Sequence, residues 1–382
     1  MTNPSYFESV TSELKFRDRF VTEGAKLFSE IPHVAASEWG RDHLFACRVI
    51  RRETRHDVLP ILSRHESSSD MKLFPEIYEF LRGPDSTYRS QSEHGLVRDS
   101  GCGSSLAQIW AAMAMVKGGK DLRIERREES SGDESDNTPD VSAKRIRRNT
   151  AQEYYVNSTD IQVGSSSPMA ESSHGHSSIG YVDNETHMFL SSPEDETLRL
   201  ASCVIRHILY YAPPQDSGHL QTVIEFRDAK RRLTGTTASL GRKIVAIDDG
   251  GLNRRKVQGD IFAIDKERVA IIEAKAQFQC VENGRPTISD SCLAQMTCEA
   301  LVARLSDPYG ELKKGSAILI HAAQHYMCFL QFDISDQYLS DFESASPSTF
   351  IYVTSTNWFD LSSRSGREQV VKNLSCLMCW AM

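Results

Sequence analysis

The sequence predicts an α/β protein with a mixed central sheet flanked by helices, and three observations carry that prediction. Short apolar runs of strand length recur at 223–226, 243–247, 257–264, 269–275, 317–321, 325–332 and 349–354. Two helical patterns, over 193–211 and 291–305, interrupt them. The composition, 40% hydrophobic and 25% charged over 382 residues, is that of an ordinary globular protein. Helix, strand meander, helix, strands and a terminal helix make a layered arrangement.

Along the chain, residues 1–125 read as mostly helical, with 6–28, 37–62, 73–81 and 104–116 as the segments. The run Lys117-Gly118-Gly119-Lys120 lacks the first Gly and the final hydroxyl of a phosphate loop and reads as a turn. From 126 to 192 the chain is Ser- and charge-rich with no apolar period, so a disordered linker is expected there. Within it, Lys144, Arg145, Arg147 and Arg148 form a basic cluster that reads equally as a nuclear-import signal or a solvated charge run. A third region, 193–382, begins with a helix whose first turn holds Glu194, Asp195 and Glu196. Its apolar stripe runs through Leu198, Ala201, Ile205, Ile208 and Leu209. The helix over 291–305 is capped by Ser289 or Asp290.

The net charge of -8 argues against a protein that coats nucleic acid by bulk charge. The longest apolar stretch, 109–116, is too short for a bilayer, and the N-terminus lacks a signal pattern. Nine cysteines without framework spacing fit reduced thiols. The expectation is an intracellular protein with no membrane partner. The pair Cys376 and Cys379 has no second ligand pair near it and reads as buried thiols.

The informative stretch is Gly259 to Ile264, a turn at 265–268, then Val269 to Lys275. In a strand, Glu273 and Lys275 project to one face and Ala274 to the other. Asp260 on the adjoining strand would bring a second carboxylate. Two carboxylates can hold Mg²⁺ or Mn²⁺ with open positions, and a lysine can orient a nucleophile. The competing reading is a surface hairpin with an i,i+2 ion pair. Against that, the run before Glu273 is apolar, and the helix after it carries Gln295 and Glu299 on one face. In addition, residues 227–256 hold nine basic residues against three acids. Arg231, Arg232, Arg242, Lys243, Arg254, Arg255 and Lys256 are the nucleic-acid-binding candidates from that segment.

Asp260, Glu273-Ala274-Lys275 and the helix bearing Gln295 resemble the PD-(D/E)XK nuclease superfamily. Asp248-Asp249-Gly250-Gly251, the helix segment 294–301, the run 358–361 and Gly366-Arg367 resemble a group of fungal PD-(D/E)XK nuclease-like proteins. The resemblance covers about 192–382. It implies a restriction-endonuclease-like fold, Asp260 and Glu273 as metal ligands with the carbonyl of Ala274, and Lys275 as catalytic lysine. It also implies Gln295 on the following helix and an acid from the first helix, Glu196, with Glu225 as the alternative. The chain departs from the family in having Gly259 for the proline before the aspartate and Glu299 for the aromatic residue of RecB-like members. The function expected is metal-dependent phosphodiester hydrolysis, of DNA before RNA, with a homodimer as a family expectation. The competing functions are a degenerate nuclease fold that binds nucleic acid or protein without cleavage, and an effector or genetic-conflict toxin built on such a domain.

Overall fold

The chain is organised around one mixed sheet with helices on both faces. The computed structural model describes residues 4–52, 54–66, 74–99, 103–118, 194–214, 221–282, 284–307, 310–312 and 315–382. The linker expected over 126–192, including Lys144 to Arg148, lies outside the described residues.

Helices α1 (Tyr6–Ser9), α2 (Glu13–Thr22) and α3 (Arg41–Ala46) lead into a short strand, β1 (Val49–Arg51). They are followed by α4 (Pro60–Ser63), α5 (Pro75–Arg82), α6 (Glu93–Asp99) and α7 (Ser104–Gly118). The C-terminal part starts with α8 (Glu194–Tyr211), β2 (Thr222–Arg227), β3 (Arg232–Thr236), β4 (Lys243–Ile247), β5 (Gly250–Gln258) and β6 (Ile261–Lys275). It continues through β7 (Cys280–Glu282), β8 (Arg285–Thr287), α9 (Asp290–Leu305), β9 (Ser316–Ala323) and β10 (Tyr326–Asp333). It ends with α10 (Asp336–Asp341), β11 (Ile351–Ser355), β12 (Phe359–Asp360) and α11 (Arg364–Ala381).

The main sheet has the order β1-β11-β10-β9-β6-β5-β2, with β12 paired to β10. Strands β2, β5 and β6 form an antiparallel meander; the chain then crosses through α9 and returns as β9, parallel to β6. The alternation along β6 sorts its side chains between two cores. Ala270 and Ile272 pack with α7, α8 and α11, whereas Ile271 packs with α9 and the N-terminal helices. Glu273 and Lys275 share the parity of Ile271 and so project to the α9 side.

Two expectations change. The charged run 265–268 is not a turn but the middle of β6, and the hairpin closes instead at Gly259-Asp260, where Gly259 has φ +61°. Strand pairing persists through the charges because each finds a partner. Asp265 pairs with Arg254, Glu267 with Arg231, and Arg268 donates to the carbonyls of Ala303 and Ser306. The segments 6–28 and 37–62 are not continuous helices. The first breaks between Ser9 and Glu13, and the second contains β1, which pairs in parallel with Ile351–Val353 of β11.

Residues 4–52 are therefore part of the sheet's architecture. Tyr6 N donates to Asp290 Oδ1 at 2.6 Å and its hydroxyl to Val49 O at 2.7 Å, while Arg41 Nη1 lies 2.7 Å from Asp290 Oδ2. These bonds fasten α1 and α3 to the start of α9, whose N-cap Ser289 accepts from Cys292 N. The sheet covers one side of α9, the β3–β4 hairpin another and the N-terminal helices a third, which accounts for a helix apolar nearly all round. A chain starting at residue 194 is expected to lack a cooperative thermal transition and to bind the dye ANS, read by circular dichroism and fluorescence; a sharp transition would show that 194–382 folds alone.

Candidate active site

Glu273 ends the apolar part of β6 and is completely buried, with Lys275 4% exposed beside it. Antiparallel pairing of Gly250 with Ile272 sets Asp249, the residue just before β5, against this end of β6. Asp249 N donates to Ile272 O at 3.1 Å, and Ala274 N donates to Asp249 Oδ2 at 3.0 Å. The other oxygen, Oδ1, lies 2.8 Å from Lys230 Nζ. The two glycines after Asp249 make the close approach possible. A Cβ on Gly250 would stand 3.0 Å from Arg227 O, and one on Gly251 would stand 2.8 Å from Ala270 O and 2.7 Å from Arg227 Nη2. The space they leave is taken by the Arg227 guanidinium, which pairs with Asp248 through Nη2–Oδ2 at 2.7 Å.

The helices supply the rest. At the start of α8, Glu194 Oε2 is 3.8 Å from Lys275 Nζ. From α9, Gln295 Nε2 donates to Glu299 Oε1 at 3.3 Å, and both side chains are buried, Glu299 completely. On β9, His321 stands opposite Glu273 in register, with Nδ1 3.0 Å from Glu273 O and Nε2 3.4 Å from Cys292 Sγ. Burial lowers the His321 pKa to about 4, so the ring is neutral at pH 7; Nδ1–H then donates to the Glu273 carbonyl and Nε2 accepts from the thiol. Burial also raises the Cys292 thiol, which makes this pair a positioning contact for β6 and not a thiolate nucleophile.

The sequence-predicted residues divide. Glu273, Lys275 and Gln295 converge, with Ala274 between the first two. Asp260 does not join them: it sits in the exposed hairpin turn, at the opposite end of the 15-residue strand β6 from Glu273. The carboxylate that takes its place is Asp249, whose signal was the acidic pair followed by Gly-Gly at a strand start. On α8 the acid facing Lys275 is Glu194; Glu196, two positions on, lies on another side of the helix. Glu225 is on the edge strand, paired with Arg255 at 3.1 Å.

The basic segment is largely neutralised within the fold. Arg231 pairs with Glu267, Arg254 with Asp265 and Arg255 with Glu225, while Arg242 donates to the carbonyls of Phe28, Ser29 and Ile31. Arg232, Lys243 and Lys256 are exposed. The local excess of positive charge is thus spent mostly on internal partners.

Asp249, Lys275 and Glu299 crowd Glu273 in the interior. Burial, followed by the nearby charges of Asp249 and Glu194, raises Glu273 to about 8 in spite of Lys275; burial and then the Glu273 charge raise Glu299 well above the carboxylate range. Lys275 is raised because its carboxylate neighbours outweigh its own burial, so it remains an ammonium. Its Nζ lies 2.6 Å from Glu273 Oε1, out of line for a hydrogen bond, and both Glu273 oxygens and Glu299 Oε2 lack hydrogen-bond partners. Among the described residues no three His, Cys, Asp or Glu side chains form a preformed ligand cluster. The donor chemistry nevertheless fits Mg²⁺, which is commonly held through one or two carboxylates, with water and substrate oxygens completing its shell.

These shifts fix the sign of a pH effect. Folded Glu273 keeps its proton to about 8, whereas the unfolded chain releases it near 4.5, so the apo protein loses stability as pH rises through that window. Glu299 acts in the same direction. With EDTA present, the melting temperature is expected to fall by several degrees between pH 5 and 8, and Glu273→Gln or Glu299→Gln to flatten the slope. Mg²⁺ should raise the melting temperature most at the alkaline end; a profile identical with and without the cation would count against a cation site.

Compared with protein-family models, with curated proteins and with solved structures, the chain matches none.

Proposed function

We propose that this protein is a divalent-metal-dependent nuclease with a restriction-endonuclease-like fold, hydrolysing phosphodiester bonds in DNA before RNA. The observation that carries the reading is the convergence of Asp249, Glu273 and Lys275 at paired ends of β5 and β6. The chain order supports it: a helix, three antiparallel strands, a crossover helix, and a fourth strand parallel to the third.

In this reading Asp249, Glu273 and the Ala274 carbonyl hold Mg²⁺ or Mn²⁺. The bound ion supplies an acidified water and charge stabilisation at phosphorus. Lys275 keeps its proton and acts as a hydrogen-bond donor, orienting the attacking water or a phosphate oxygen. Glu299 keeps its proton as well, which limits the negative charge beside Glu273 and lets an anionic phosphate approach. Gln295 fixes the Glu299 carboxyl through its amide. Glu194, partly exposed and 3.8 Å from Lys275 Nζ, adds an acid at the edge of the site.

A second reading, a non-cleaving module built on the same fold, draws on two lysines that already hold the carboxylates: buried Lys275 lies against Glu273 and exposed Lys230 against Asp249. Purified protein incubated with single-stranded DNA, duplex DNA and RNA separates the two. Cleavage is expected with Mg²⁺ or Mn²⁺ and not with EDTA. Asp249→Asn, Glu273→Ala and Lys275→Ala should each lower the rate at least about a hundredfold, while Asp260→Asn should leave it unchanged. No cutting by folded protein under any of these conditions would leave the binding module as the function.

A further inference from the structure

Beside Lys275 lies a group of partly buried rings. Phe278 lies three residues beyond Lys275, Tyr326 opens β10, and Trp358 lies between β11 and β12. Phe278 contacts Trp358 and Tyr326, both with centroids 5.0 Å apart, at interplanar angles of 85° and 56°. His325 adjoins Tyr326 at 4.3 Å and 37°. Trp358 also meets His321 at 5.1 Å and 59°. These contacts are tilted or edge-to-face, so each neighbour takes at most one face of a ring and leaves the opposite face uncovered by that neighbour. Lys275, Gln277, Phe278, Cys292, His321 and Trp358 line one small depression, which joins the rings directly to the candidate catalytic lysine. The Gln277 amide oxygen there is buried and has no hydrogen-bond partner.

Ring faces beside an unsatisfied amide are what an unpaired nucleobase requires: the π-face stacks, and its polar edge meets an acceptor. Bases within a duplex are stacked on each other and cannot present a face to such a platform. Three extended residues span at most about 10 Å, so a base on Phe278 would keep its own backbone close to Lys275. Electrostatics agree with a base more than with additional phosphates. The exposed side of the site carries Glu194, and Asp360 lies 3.6 Å from His325, so the aromatic group is not a cationic track.

We propose that Phe278, Tyr326 and Trp358, with Gln277, form a stacking platform for one unpaired nucleobase next to Lys275. On the nuclease reading, on which this rests, the substrate class is single-stranded nucleic acid or an unpaired end.

The test is fluorescence anisotropy in Mg²⁺ with the Lys275→Ala chain, which binds without cutting. The probes are a labelled DNA oligomer, the same oligomer as RNA, its duplex, and a version carrying abasic sugars. Single strands are expected to bind at least about tenfold tighter than the duplex and the abasic strand. Phe278→Leu, Tyr326→Leu and Trp358→Leu, which keep apolar volume and remove the ring, should each weaken single-strand binding about ten- to a hundredfold and leave duplex binding unchanged. The DNA and RNA arms decide which sugar is preferred. Equal affinity for single strand and duplex, or undiminished single-strand binding in all three folded variants, would overturn the platform. Ring-dependent binding from a wild-type chain that never cuts would sink the nuclease reading and keep the platform. Duplex cutting indifferent to the ring variants would do the reverse.

Discussion

The structure depends on housing one ammonium among several carboxyl groups away from water. Lys275 is paired with Glu273 at 2.6 Å, and Asp249 and Glu299 contribute to the same local field. Removing these charges from solvent is costly, and one lysine cannot neutralise all of them. The fold relieves the imbalance with protons: Glu273 and Glu299 bind them more tightly than a solvated carboxyl would. It relieves it also with distant cations, since Lys230 takes one oxygen of Asp249 and Arg227 neutralises Asp248. Much of the surrounding architecture follows. The helix carrying Glu299 must be dry to raise that carboxyl, and it is dry because residues 4–52 close over it.

How much of this was legible depended on whether a feature was local in sequence. The strand 243–247, the helix near 290–305 with its Ser289 cap, and the i,i+2 relation of Glu273 and Lys275 are local and read directly. The partner carboxylate was not, because choosing it required the strand register. The charged run 265–268 resembles a turn in composition, and a turn there puts Asp260 near Glu273. A tertiary partner for each of those charges lets β6 run through them, moves the turn to Gly259-Asp260, and leaves Asp249 opposite Glu273. A periodicity argument cannot see such compensation, since it counts charges without their partners. That Glu194 and not Glu196 faces Lys275 is similarly a matter of helix phase relative to a neighbour.

The N-terminal segment shows the same limit at longer range. Val49–Arg51 has too few residues to announce a strand, and it becomes one only because β11 offers an edge. A count of basic residues likewise carries no information on which of them have partners inside the fold. Glu267, Asp265, Glu225 and three backbone carbonyls take Arg231, Arg254, Arg255 and Arg242.

The parallel pairing of β1 with β11 also has a kinetic meaning. Val49 leaves the ribosome about 300 residues ahead of its partner Ile351. Until then, Tyr6, Phe16 and Phe45, all buried in the finished protein, have no sheet to cover. Local contacts can form during synthesis, but closing this edge pays the entropy of nearly the whole intervening chain, which places the protein among slow folders. The nascent N-terminal segment is consequently a natural client for chaperones that bind exposed aromatic residues, and translation rate becomes a determinant of yield.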